Sequence, residues 1–260
     1  MRAKQILLSF DVEEFDTPTL DYGKELSLEE QFKVSTEGLM NVLILLDKYN
    51  AKATFFTTAN YAIHHPELMN EIAEKHEIAS HGYYHSTFDY KDLKKSKDKL
   101  EEIINKPIVG YRMARMMPLD KNEISKAGYT YDSSVHPTYI PGRYNNLKEP
   151  RTFFKIKDLL EIPASVSPIL RFPLFWLTFH NFPFWFVRHL SSKTLKKDNY
   201  LNIYFHPWEF VNLRDKEKFG LPFYITNRSG KKLLNNLEKF IVWGQKRAEF
   251  TTFQEFIKYE

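Results

Sequence analysis

Two histidines four residues apart, His81 and His85, follow the short apolar stretch Ile78-Ala79. One helical turn or a tight loop brings both imidazoles to the same side. Imidazole is the commonest side-chain ligand for zinc-like ions, and a catalytic metal needs three protein ligands and one open position. The spacing alone fits a surface or core pair as well, so the weight comes from the rest of the chain. Asp11-Val12-Glu13-Glu14-Phe15-Asp16 sets four carboxylates within six residues, directly after the apolar run Ile6 to Phe10. Arg112, Asp132 and His206 each follow another apolar stretch. Brought together, these groups form the parts of metal-assisted amide or ester hydrolysis. Two imidazoles and a carboxylate hold an ion, a second carboxylate takes a proton from water, and a further histidine protonates the leaving amine. Taken singly, Arg112 reads as a surface charge, Asp132 as a cap and His206 as a core histidine. Glu14 and Asp16 read as a solvated acidic loop.

The elements that must position these residues alternate. Strands are expected at Ile6–Phe10, Ala53–Thr57, Ile78–Ser80, Pro107–Tyr111, Tyr129–Asp132, Leu159–Pro163, Tyr200–Phe205 and Glu249–Thr251. Helices are expected between them: a capping box at Ser27-Leu28-Glu29-Glu30 opens one that runs to about Tyr49. Others start at Pro66, Asp89, Asp120 and Asn227 or Ser229, and Thr252 caps a short terminal one. Alternation at this spacing means a mainly parallel sheet, closed or open, with its site at the strands' C-terminal ends. The Pro-, Gly- and Asn-rich segment from Pro137 to Pro150 reads as a long loop at the site edge. The aromatic stretch Ile169 to Leu190 is long enough to span a membrane. Arg171, His180, Asn181, Arg188, Pro173 and Pro183 argue for a broken helix packed on the barrel, with an interfacial segment as the alternative.

Composition narrows the class. A chain of 260 residues without a repeat or linker reads as one domain, 1–260. Net charge is +4 from 37 basic and 33 acidic residues, with no basic cluster, so nucleic acid is not an expected partner. The absence of cysteine excludes disulfides and thiolate metal sites. Twenty-two Phe and 15 Tyr fit either core filling or stacking on a sugar ring. The N-terminal apolar run is too short for a secretory core, so a cytoplasmic protein is expected.

From Ser9 to about Phe210 the chain resembles the NodB-type polysaccharide deacetylases, carbohydrate esterase family four. Ser9-Phe10-Asp11-Val12-Glu13 is similar to the family's Thr-Phe-Asp-Asp motif, and His81-Gly82-Tyr83-Tyr84-His85 to its His-Ser/Thr-x-x-His motif. Gly110-Tyr111-Arg112 matches the arginine motif, and Tyr131-Asp132-Ser133-Ser134 with Pro137 resembles the fourth. Glu161-Ile162-Pro163 and Tyr204-Phe205-His206-Pro207-Trp208-Glu209-Phe210 look like the branch of bacterial exopolysaccharide and lipid-linked sugar loci. The resemblance implies a distorted (β/α)7 barrel that removes acetyl groups from N-acetylated sugars. It implies Asp11 as base, Arg112 orienting Asp11, His206 as general acid, and His81 and His85 as metal ligands. Asp132, Tyr83 and Trp208 are the expected substrate contacts. The ion is a divalent metal, zinc first, with cobalt, nickel or iron as alternatives. The substrate is an N-acetylated sugar of the cell envelope or its precursor, lipid-linked in one version, with peripheral membrane contact through 169–190.

Three departures stand out. The usual second aspartate is Val12, and Glu13 is taken as the replacement ligand; in a regular strand it shares a face with Asp11. Gly82 replaces the motif's hydroxyl residue. Arg112-Met113-Ala114-Arg115 lacks the family's proline and following aromatic. The alternatives are a hydrolase of non-sugar amides of the cyclic ureide type on the same barrel, and an inactive glycan-binding barrel.

Overall fold

The structure is a computed structural model that describes residues 3–258. Its central strand, β1 (Gln5–Val12), is buried at every position, as befits a parallel strand covered on both faces. β2 (Thr54–Thr57), β3 (Glu77–Ser80), β4 (Gly110–Tyr111) and β5 (Tyr131–Asp132) follow, each parallel to the strand before it. A hairpin of β6 (Tyr139–Ile140) and β7 (Tyr144–Asn145) stands outside the main sheet. β8 (Phe154–Ile156) runs antiparallel to β9 (Leu159–Glu161), and β9 pairs parallel with β5. β10 (Tyr200–Phe205) returns to the free side of β1, and β11 (Glu249–Thr251) joins the first residues of β1.

The parallel order β10-β1-β2-β3-β4-β5-β9 is a curled, seven-stranded sheet, the distorted (β/α) barrel expected from the sequence. No strand ladder joins β9 to β10. Asn202 spans that seam instead: its carbonyl accepts Ser165 N–H at 2.9 Å, its N–H donates to Ser165 Oγ at 2.8 Å, and its Nδ2 donates to Ile162 O and Pro163 O at 3.0 Å each.

The period of two along β1 decides what faces the interior. Ile6, Leu8, Phe10 and Val12 belong to the core between sheet and helices, whereas Leu7 belongs to a second cluster inside the barrel with Phe56, Tyr131 and Phe253. Ser9, Asp11 and Glu13 share the inward phase of Leu7. The interior is therefore apolar at one end and polar at the C-terminal ends of the strands.

The helix Leu28–Tyr49 starts with the expected capping box, Ser27 and Glu30 exchanging hydrogen bonds at 3.2 Å. Asp89 caps the helix Tyr90–Ile104 and Asp120 the helix Lys121–Lys126. Several expectations change. β4 is two residues long instead of five, because Pro107 has no N–H and the Ile108 N–H donates to Glu101 Oε1 at 2.9 Å. The helix expected from Asn227 or Ser229 begins at Lys231, after Gly230 at φ +72°; the Ser229 hydroxyl serves the neighbouring loop, accepting Leu213 N–H at 3.2 Å. The 137–150 loop contains the β6–β7 hairpin. Between 169 and 190 the two prolines do break the helix: a reversal at 167–172 precedes helices Trp176–Asn181 and Phe184–Asp198. Among the described residues no helix is long and apolar enough to cross a membrane.

Candidate active site

Asp11 and Glu13 leave the end of β1 into the barrel mouth, both buried. Arg112, directly after β4, is fully buried, and each of its three guanidinium nitrogens donates. Nη1 donates to Asp11 Oδ1 at 2.6 Å and to Ser9 Oγ at 3.0 Å, while Nε and Nη2 donate to the carbonyl and hydroxyl of Ser133 at 3.1 Å. Its guanidinium lies 3.9 Å from the Phe56 ring centre. The arginine thus fixes the orientation of Asp11 and leaves Oδ2 facing the cavity.

His81 follows β3 and His85 the turn after it. Gly82 makes that turn at φ +91°, a conformation costly for any residue with a Cβ, which gives the glycine in this motif its structural reason. The imidazoles face Glu13: both Nε2 atoms lie 3.2 Å from Glu13 Oε2. His81 Nδ1 donates to the Arg112 carbonyl at 3.0 Å, and His85 Nδ1 is held by Asp16 Oδ1 at 2.6 Å. Each ring therefore turns its Nε2 inward, the orientation that outer hydrogen-bond partners impose on metal-binding histidines. Glu13 Oε1 accepts the Trp208 indole N–H at 3.0 Å, but Oε2 is buried without a hydrogen-bond partner. Ligand atoms about 2 Å from a tetrahedral ion stand about 3.3 Å apart, so the separations to Glu13 match a three-ligand set. The donor types suit zinc and other borderline divalent ions. Glu13, His81 and His85 are the one such group among the described residues.

Electrostatics follow from this crowding. Burial alone would raise the Glu13 carboxyl, but His85, His206 and His81 outweigh it and hold its pKa far below the usual carboxylate range. Burial would lower His85, but Glu13 and Asp16 push it up to about 9. His206 is likewise raised: burial is overcome by Glu13, Glu209 and Asp11.

His206 ends β10. Glu209, three residues on, accepts its backbone N–H at 2.6 Å and pairs with its Nδ1 at 2.8 Å through the same oxygen. The other oxygen of Glu209 lies 3.0 Å from Nε2 of fully buried His180. His206 is thereby held with Nε2 towards the cavity, 3.9 Å from Asp11 Oδ2, and its ring stacks on Trp208 at 4.8 Å. A cavity of about 610 Å³ lies over these groups. Its walls include Arg115 and Met116, both left-handed at φ +58° and +52°, the Ile140–Tyr144 hairpin, Leu177 and Tyr224. Arg115 pairs with Asp21 at 2.8 Å. A second cavity of about 450 Å³, bordered by Glu77 and Gln254, contains none of this machinery.

The structure brings Asp11, Glu13, His81, His85, Arg112, His206 and Trp208 together. Two expected substrate contacts fall elsewhere. Asp132 is fully buried and committed to Lys121 and the Ser134 hydroxyl, with Glu161 on the same lysine, so it ties β5 to β9 and to the helix Lys121–Lys126. Tyr83 lies outside the cavity lining, against Tyr84 at 4.8 Å. Glu14 and Asp16 are buried, not solvated: Glu14 accepts from Thr58 at 2.9 Å and from Asn60, and Asp16 orients His85. Asp16, Glu209 and His180 are the residues that sequence reasoning passed over.

The family model for polysaccharide deacetylase matches residues 2–131. A second model, described as a domain of unknown function (DUF3473), matches residues 133–258. Among solved structures, a probable polysaccharide deacetylase from Pseudomonas aeruginosa PAO1 is similar at 16% identity and TM-score 0.66, over 98% of this chain and 89% of that one. The Puue allantoinase is similar at 15% identity and TM-score 0.66, over 98% and 89% of the two chains. A carbohydrate esterase family 4 pseudoenzyme from Bacillus anthracis is similar at 11% identity and TM-score 0.53, over 98% of this chain and 65% of that one. At these identities the likeness is one of fold.

Proposed function

This chain belongs to the polysaccharide deacetylase family, and from that premise we propose that it is a metal-dependent N-deacetylase of an amino sugar from the cell envelope or its precursor. The observation that carries the reading is the buried Glu13–His81–His85 group set beside the Arg112-bound Asp11 and the cavity-facing His206. Glu13, His81 and His85 would hold the divalent ion, zinc first, which when bound supplies Lewis acidity towards a carbonyl oxygen and a water.

The chain's own groups divide the proton work. Asp11 Oδ2, with its other oxygen fixed by Arg112, accepts the proton of the water that adds to the acetyl carbon. His206, held through Nδ1 by Glu209 with Nε2 towards the cavity, gives a proton from Nε2 to the sugar nitrogen as the carbon–nitrogen bond breaks, leaving acetate and a free amine. Trp208 fixes Glu13 through its indole N–H and presents its ring to His206, so it supports both halves of the site. A pure glycan binder would need none of these proton-transfer groups. The likeness in fold to an allantoinase keeps a cyclic amide as the second substrate class to be assayed.

The test is elemental analysis of the purified protein beside His81→Ala, with acetate release from N-acetylglucosamine oligomers. About one zinc-like ion per chain, lost in the variant together with turnover, is the expected result. An ion retained by His81→Ala would overturn the ligand set. Turnover of cyclic ureides with none of acetylated sugars would transfer the protein to the second class.

A further inference from the structure

The segment that follows β9 carries more exposed apolar surface than a wall of the cavity requires. At 167–172 the chain reverses, with Ser167 N–H bonded to Phe172 O at 2.8 Å and Arg171 N–H to Ser167 O at 3.1 Å. The tip of that reversal holds Ile169, 90% exposed, and Leu170, 85% exposed. Its stem is not loose. Arg171 Nη1 donates to Glu149 O at 2.7 Å and to Pro137 O at 3.3 Å, and Thr138 Oγ1 donates to Arg171 O at 2.7 Å. The two aliphatic side chains are therefore held out on an anchored turn.

Beside the tip, Phe172 packs edge-on against Phe182 at 5.1 Å and Phe186 at 5.4 Å, and Trp185 lies against Phe186 at 5.8 Å while remaining 63% exposed. The apolar surface thus continues from the turn to the start of the helix Phe184–Asp198. It also continues to the cavity. Asn181 Nδ2 donates to Tyr224 O at 2.8 Å, joining this patch to exposed Phe223 and Tyr224, and Tyr224 and Leu177 line the cavity.

Charge then identifies the occupant. Past Trp185, the solvent face of the same helix carries Arg188, Lys193, Lys196 and Lys197, all exposed. Its single carboxylate, Asp198, is held by Arg151. An aliphatic wedge and an aromatic belt followed by unopposed cations match a bilayer with anionic headgroups. The apolar groups enter the headgroup–acyl boundary, and the lysines and arginine lie over the phosphates.

We infer that the Ile169-Leu170 turn and the outer face of the helix Phe184–Asp198 form a docking face for an anionic lipid surface, placed beside the mouth of the cavity. The inference stands apart from the proposed reaction, because it requires neither a metal nor turnover. It explains why exposed Ile169 and Leu170 are held on a braced turn rather than turned inwards.

Co-sedimentation of the whole chain with vesicles tests it, using phosphatidylcholine alone and phosphatidylcholine with about a third phosphatidylglycerol. Binding to the mixed vesicles and release by high salt are expected. The double variant Ile169→Ser/Leu170→Ser should lower partitioning about tenfold or more. Lys193→Glu/Lys196→Glu should lose the preference for anionic vesicles. All four positions are exposed, so thermal melting should be unchanged, and acetate release from a short soluble oligomer should match wild type. Failure of the wild type to sediment with anionic vesicles, or equal binding by the variants, overturns the inference. So does concentration-dependent dimerisation abolished by Ile169→Ser/Leu170→Ser, which would assign the face to a second copy.

Discussion

Asp16 and Glu209 do similar work on different histidines, and neither touches the cavity's centre directly. Asp16 turns the Nε2 of His85 towards Glu13; Glu209 turns the Nε2 of His206 towards Asp11. Substitution separates their effects. Asp16→Asn should weaken metal binding by about 10- to 100-fold, since an outer carboxylate sets the orientation and basicity of a ligand imidazole. Glu209→Gln should leave metal affinity at the wild-type value and lower kcat by about a hundredfold, the scale of general acid catalysis. Chelator competition and steady-state kinetics on the same preparations measure both. Equal loss of metal in the two variants would merge two roles that the geometry keeps apart. The distinction was not legible in the sequence. Asp11 and Glu13 are picked out by the alternation of β1, but Asp16 lies beyond the strand, where no period applies, and reads like any acid of a loop. Glu209 stood in view within His-Pro-Trp-Glu. His180 was hidden in an aromatic run, where a lone histidine signals only that the run does not cross a membrane.

At the scale of elements, the long helix Leu28–Tyr49 and the turn that begins at His206 meet at a glycine. An ideal Cβ on Gly38 would lie 1.9 Å from the Pro207 carbonyl oxygen, so helix and turn approach as closely as they do because that side chain is absent. Gly38→Ala must push one of them aside. The expected cost is about 1–3 kcal/mol of stability, typical of overpacking. Because the turn carries His206 and Glu209, kcat should fall by up to about a hundredfold at unchanged metal content. Urea unfolding read beside turnover checks this; full activity in the alanine variant would show that the turn relaxes without moving His206. The helix itself was plain in the sequence from its capping box and apolar stripe. Its contact was not, since a single glycine inside a helical pattern carries no record of what approaches it. The same limit explains β4. Apolar residues from Pro107 to Tyr111 read as one strand, but proline at one end and the capture of Ile108 N–H by Glu101 leave two residues to pair. Where one face repeats, as in β1 and β10, the pattern locates the strand well; where strands shrink to two residues, tertiary partners decide.

At the scale of the whole molecule, the two matched segments share one sheet, since β1 pairs with β10 and β5 with β9. The end of the barrel opposite the site is closed by the helix Phe253–Ile257, whose first ring stacks on Tyr131 at 5.5 Å. Glu77 ties this closure together. Its carboxyl accepts from Thr54 Oγ1 at 2.7 Å, Tyr131 OH at 2.8 Å and the Gln254 N–H at 2.9 Å, joining β2, β3, β5 and the terminal helix. This glutamate, which opens β3 just before Ile78, is buried. Burial, only partly offset by those three donors, pushes its pKa up to about 7. A carboxyl raised in the folded state binds its proton more tightly there than in the unfolded chain. Its contribution to stability is therefore complete below the ordinary value near 4.5 and is lost as pH rises to about 7. The shift corresponds to about 3 kcal/mol at most. Glu77→Gln removes the titration and keeps the volume, so the stability difference between variant and wild type should move in the variant's favour across that window and level off above it. Urea unfolding of both proteins at half-unit pH steps measures the difference; a constant difference from pH 4.5 to pH 7 would mean that Glu77 is ionised throughout and that the three donors, not burial, govern the closed end of the barrel.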